Sequence, residues 1–366
     1  MFFERRTKRL RPGRAVALFA ALAAGLGLLG AAPNRASRTT GTAEEKVPVL
    51  LLEGGRKLEF VRAFSSEMEV KPKRSLWNKL VDWVAGPPVY RRMARPYDIA
   101  LDSVGRIIVT DPGAAVVHLL DSEKQKYSLL EGGKGRPFLS PLGVAVDAKD
   151  NIYVTDSALG MVFVFDSSGK FKRHIGGQKS GNGHFKRPTG IAVDSAASRL
   201  YLTDTLQHRI YVLDLEGNIV TNFGGRGLEP GQFNYPTEIA VRGRELLVVD
   251  AMNFRVQTFT PEGVFVRSFG ALGERTGALL RPKGLALDSE GNIYVADGLL
   301  ETVQVFNQQG QLLYFFGRGG GGLGEFQLPA GLSIDPRDRI YVADYLNQRV
   351  QVFQFTSAAR ARGGRP

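Results

Sequence analysis

Short apolar runs recur along this 366-residue chain, and six of them end in aspartate: Asp111, Asp156, Asp204, Asp250, Asp297 and Asp344. The gaps between these aspartates are 45, 48, 46, 47 and 47 residues. The flanking text repeats as well, with Tyr-Val-Thr-Asp at 153–156, Tyr-Leu-Thr-Asp at 201–204 and Tyr-Val-Ala-Asp at 294–297 and 341–344. A period this regular predicts one supersecondary unit stacked six times. Within a unit, an apolar strand opens after proline, as at Pro96, Pro141, Pro188, Pro236, Pro282 and Pro329. A turn rich in Asp, Gly and Asn follows, then the strand that ends at the recurrent aspartate. A β-branched and aromatic third strand comes next, such as Arg-Ile-Tyr-Val-Leu at 209–213, and a glycine turn leads into a fourth. Four short strands separated by turn residues, without a helical period, predict a propeller blade.

The text of a unit resembles the NHL repeat. The third copy carries the likeness best, with Pro-Thr-Gly-Ile-Ala-Val-Asp at 188–194, Tyr-Leu-Thr-Asp-Thr at 201–205, His208-Arg209-Ile210 and Phe223-Gly224. The resemblance spans residues 96–355 and implies an all-β, six-bladed β-propeller of four-stranded blades. It implies little about activity, because this fold hosts many functions. The sixth copy stops at Phe355 without a fourth strand. Phe60-Val-Arg-Ala-Phe64 matches Phe265-Val-Arg-Ser-Phe269 at four of five positions, so a strand at about 58–64 is expected to complete the last blade and cover its edge. The resulting organisation is an export signal or anchor at 1–32, an N-terminal segment at 33–95, the propeller at 96–355 and a basic disordered tail at 356–366.

The formal charge of +12 belongs to the flanks: +5 over residues 1–14, +6 over 33–95 and +3 in the tail, against −2 over 96–355. A near-neutral propeller speaks against a nucleic-acid partner, which wants a basic folded face. The chain has no cysteine, which excludes disulfides, a thiolate nucleophile and a Cys-ligated zinc. Six basic residues between Arg5 and Arg14 precede an uncharged Ala/Leu/Gly run at 15–32, the pattern of an export signal. Pro33 would follow a cut after Ala32, so an uncleaved membrane anchor is the competing expectation. Either places the propeller outside the cytoplasmic membrane, in the periplasm or at the cell surface. Apolar residues at helical spacing predict a short amphipathic helix at about 75–86, before the first blade, packed on the propeller or facing a membrane.

The recurrent aspartates are the obvious catalytic candidates, yet six copies at one structural position read as turn anchors. His208 has Ala115, Phe254 and Gln348 as its counterparts, and a position that accepts Phe is a packing position. His118, His174 and His184 lack metal-ligand spacing. The informative departures are Asp98 and Glu238, which replace the glycine of Pro-x-Gly in the first and fourth copies. Those blades face each other across a six-bladed ring, so the two carboxylates are expected near the mouth of the central channel. There they either sit at a wet rim without a role or hold a cationic group, a calcium-type ion included. The expectation is a monomeric, non-enzymatic binding or scaffold propeller that presents its loops and channel to a protein, peptide or glycan. The alternative is a metal-dependent lactonase- or lyase-like enzyme with its site at the channel mouth. The Gly-rich connections after the fourth strands have no helix behind them and read as blade linkers, not phosphate cradles.

Overall fold

The structure is a computed structural model that describes residues 48–71, 90–176 and 185–356. The N-terminal signal, the helix expected at 75–86 and the basic tail lie outside the described residues, as does His184. Among the described residues, no helix is long and apolar enough to cross a membrane.

Six antiparallel sheets form the blades, and in blades one to five the strands follow chain order from the inside out. Blade one comprises Ile99–Leu101, Ile107–Asp111, Val116–Asp121 and Lys126–Leu130. Blade four comprises Pro236–Arg242, Glu245–Asp250, Arg255–Phe259 and Phe265–Phe269. In blade six, Pro329–Ile334, Arg339–Asp344 and Arg349–Thr356 are joined at the edge by Lys57–Phe64 from the other end of the chain. Phe60 pairs with Phe353 and Phe64 with Val350. Val49–Leu51 then pairs with Lys57–Glu59, so this sheet has five strands where the other blades have four.

The core lies between blades. Strand side chains alternate, and both faces of each sheet pack on a neighbour, which is why the second strands are continuously buried instead of alternating. Leu58 and Phe60 enter the cluster between blades five and six, and Phe64 enters the one between blades six and one. The Gly-rich linkers double back through the parallel bridges Arg226 to Phe233, Leu272 to Leu279 and Gly319 to Phe326. Each sends one fully buried residue, Phe233, Leu279 or Phe326, into the core.

One interblade position breaks the apolar rule. Leu119, Val164, Val212, Val305 and Val352 pair with equivalent residues of the second strands, and the sixth counterpart is Thr258. Thr258 is fully buried and its Oγ1 has no hydrogen-bond partner among the described residues. Thr258→Val is therefore expected to raise stability by about 1 kcal/mol, since an unpaired buried hydroxyl gives way to a methyl of similar size. A denaturant midpoint that stays put or falls would contradict this.

Candidate binding site in the central channel

The recurrent aspartates stand at the ends of the second strands, behind the inner strands that line the channel. All six are fully buried. Asp156 accepts hydrogen bonds from the backbone N–H groups of Leu139 and Ser140 before its blade and of Ala158 and Leu159 in its turn. Asp204 and Asp297 hold the equivalent amides of Arg187 and Arg281. Each aspartate thus ties the linker entering a blade to the turn between its second and third strands, a structural duty that leaves no free carboxylate for chemistry. Buried donors help. Gln257 and Gln351 donate to Asp250 and Asp344 at 3.1 and 3.0 Å. His118 occupies the same place in blade one, with Nε2 3.0 Å from Asp111 and Nδ1 against the Tyr127 hydroxyl. The His118 contact and the linker amides hold the Asp111 carboxyl below its ordinary range despite burial, which opposes them.

His208 sits at φ 53°, and its counterparts Ala115, Phe254, Glu301 and Gln348 share φ values of 53–57°. The position is therefore defined by a left-handed turn as much as by packing. His208 Nδ1 accepts the Tyr235 amide at 3.1 Å, and burial pushes its pKa down.

The inner strands meet at the Pro-x-Gly position. A Cβ on Gly284 would stand 2.2 Å from the Ala330 carbonyl oxygen, which only glycine avoids. Threonines of the second strands stitch this neck in three blades: Thr110 donates to the Leu142 carbonyl, Thr155 to Thr189 and Thr203 to Thr237. Between blades six and one, the Gly331 amide donates to the Tyr97 carbonyl.

Asp98 and Glu238 stand in this neck. They line one cavity of about 370 Å³ whose wall takes residues from all six inner strands and runs down to Arg242 and Asp288. Sequence reasoning placed them near the mouth of the channel, with a wet rim as one of the two alternatives. The structure buries them, at 5 % and 8 % exposure, because the neck is where the strands crowd closest. Asp98 Oδ2 accepts the Val144 amide at 2.8 Å, and Glu238 Oε1 accepts the Ile239 amide at 2.9 Å. Burial raises the Asp98 pKa to about 7, with the Val144 and Ile99 amides pulling the other way. Burial, followed by the charge of Asp98, lifts Glu238 well above the carboxylate range. Two carboxyls that feel each other in a low-dielectric site do not both ionise near neutrality. A larger pocket of about 650 Å³ lies at the turns of blades six, one and two, but the carboxylates of Asp102, Asp147 and Asp335 there are spent on their own turns.

On the other side of the neck, sequence reasoning missed a group of residues. Lys283 Nζ lies 5.7 Å from the Tyr97 ring centroid and 5.2 Å from that of Tyr345. The two rings meet edge to face at 6.3 Å, and the Arg95 guanidinium lies 5.8 Å from the Tyr345 ring. Burial, then the charge of Arg281, lowers the Lys283 pKa to about 8. Burial and the carboxyls of Glu238 and Asp98 push the Tyr97 phenol up, while Arg187 opposes them.

These features define a six-bladed β-propeller with a buried carboxyl pair at its neck. The chain carries NHL repeats: residues 326–353 match the NHL repeat model, and residues 140–217 match a family described as a 6-bladed beta-propeller. No curated protein matches it in sequence. Among solved structures it is similar to a streptogramin B lyase, at 14% identity and TM-score 0.54, covering 72% of this chain and 94% of that one. It is also similar to an auxiliary nutrient binding protein from Bacteroides thetaiotaomicron, at 12% identity and TM-score 0.56, covering 72% and 70%. A third is the Kuenenia stuttgartiensis hydrazine synthase, at 15% identity and TM-score 0.52, covering 75% and 99%. Likeness at this identity establishes the fold alone.

Proposed function

We propose that the protein is a non-enzymatic binding propeller outside the cytoplasmic membrane, whose central channel receives a cationic group of a protein, peptide or glycan partner. The observation that carries this reading is the pair Asp98 and Glu238, buried in one cavity lined by all six blades. A cation entering the neck supplies the charge that lets both carboxyls ionise, so binding releases protons. The placement outside the membrane rests on the basic-then-apolar N-terminus of the sequence. The test is the melting temperature with calcium or a primary amine, in the parent and in Asp98→Asn/Glu238→Gln. A ligand at a hundred times its Kd stabilises by about 2.7 kcal/mol, and the double variant should lose that gain. The cation reading is abandoned if neither raises the parent's melting temperature, or if both proteins respond alike.

The alternative of a lactonase- or lyase-like enzyme draws on the same pair, since a carboxyl with a pKa of about 7 can give and take a proton at neutral pH. Among the described residues, no three His, Asp or Glu side chains come together as a metal-ligating group. Metal analysis of the purified protein separates the two readings: a stoichiometric, tightly held transition-metal ion favours the enzyme, whereas reversibly bound calcium belongs to the binding reading.

A further inference from the structure

The residue before each blade-opening proline is arginine in blades one, three and five: Arg95, Arg187 and Arg281. Alternate blades place these at three-fold spacing around one rim of the channel. Each is fixed by its own backbone amide, donated to the buried aspartates Asp111, Asp204 and Asp297 at 2.9, 3.1 and 2.9 Å. Lys283, half-buried inside this rim, rests against Tyr97 and Tyr345. None of the four cations forms an ion pair with a described residue, whereas Arg255 of blade four and Arg349 of blade six pair with Asp250 and Asp344. A half-buried ammonium without a counterion among the described residues, inside a rim of three exposed arginines whose backbones are held, is an incomplete electrostatic arrangement.

We propose that this rim is a binding site for a compact anion carrying two or more carboxylate or phosphate groups, with Lys283 as its central contact. The near-neutral remainder of the propeller favours a compact multivalent anion over a long polyanion. The site goes beyond the cation reading of the neck, and Asp98→Asn/Glu238→Gln tests that reading separately.

The probes are citrate and inorganic tripolyphosphate, titrated calorimetrically into the full protein at low ionic strength. One of them is expected to bind one to one, and which one does so identifies carboxylate or phosphate as the preferred group. Lys283→Met should weaken it about ten- to a hundred-fold, the loss of a charge-assisted contact, while Lys283→Arg retains it. Facing Lys283 are the Tyr97 and Tyr345 phenols, Arg95 and Arg281. Affinity should decline as the pH rises through about 8, where the ammonium loses its proton. Absence of one-to-one binding by both anions overturns the proposal. So does binding that survives Lys283→Met, or a single-stranded oligonucleotide that binds tighter than either anion and spans several blades.

Discussion

Removing residues 47–64 is expected to abolish the folded monomer. The deletion takes away the edge strand Lys57–Phe64 and with it the buried side chains of Leu58, Phe60 and Phe64, at 3 %, 9 % and 2 % exposure. Burying each such side chain contributes about 1.5–3 kcal/mol. Three together approach the 5–15 kcal/mol that typically separates folded from unfolded protein. The loss also bares the hydrogen-bonding edge of Arg349–Thr356, a template for intermolecular pairing. Gel filtration should show aggregated or unfolded material. A monomer with the parent's melting temperature would overturn the assignment of this strand to the ring. Because the deletion is drastic, Phe60→Ala is the gentler companion. Phe60 packs edge to face on Phe353 at 5.7 Å, and its truncation should cost about 3–5 kcal/mol while leaving a soluble protein.

The strand that closes the sixth blade was legible because it repeats another blade's text. Phe60-Val-Arg-Ala-Phe64 occupies in blade six the place of Phe265–Phe269 in blade four. The blade count was legible for the same reason: a turn-anchoring aspartate is required once per unit, and it stands in the sequence at that period. The cationic rim was hidden in the charge arithmetic, which speaks against a basic folded face only on average. The sum over residues 96–355 comes to −2 and averages Arg187, Arg281 and Lys283 with acids elsewhere on the ring, while Arg95 is counted with the segment before it. Aligning the residue before each proline, copy by copy, would have exposed the alternation. His208 illustrates a different limit. Its counterparts share no chemistry because what they share is φ near 55°, a property of the turn and not of the side chain.

The neck shows where a departure from a repeat pattern carries energy. Four blades keep glycine there because a Cβ would strike a neighbouring strand, as at Gly284, while Asp98 and Glu238 instead bring two carboxyls into a buried space. Their folded-state pKa values lie above those of the unfolded chain, so the folded protein binds more protons across that interval. Stability is then greatest below about pH 4, as far as these groups are concerned, and falls as pH rises through about 7. For Asp98 alone, a rise from 3.8 to about 7 corresponds to a loss of a few kcal/mol by pH 8. Asp98→Asn/Glu238→Gln should therefore melt higher than the parent at pH 8, by roughly that free energy, and the two should converge near pH 4. Its melting temperature should also vary less between pH 4 and 8. If the parent shows no steeper pH dependence than the double variant, the carboxyls are solvated in the folded state and the neck is not the dry site its geometry describes. A cationic ligand supplied at pH 8 should restore the parent's stability and leave the variant's unchanged, which ties the binding reading to the same two residues by a measurement independent of affinity.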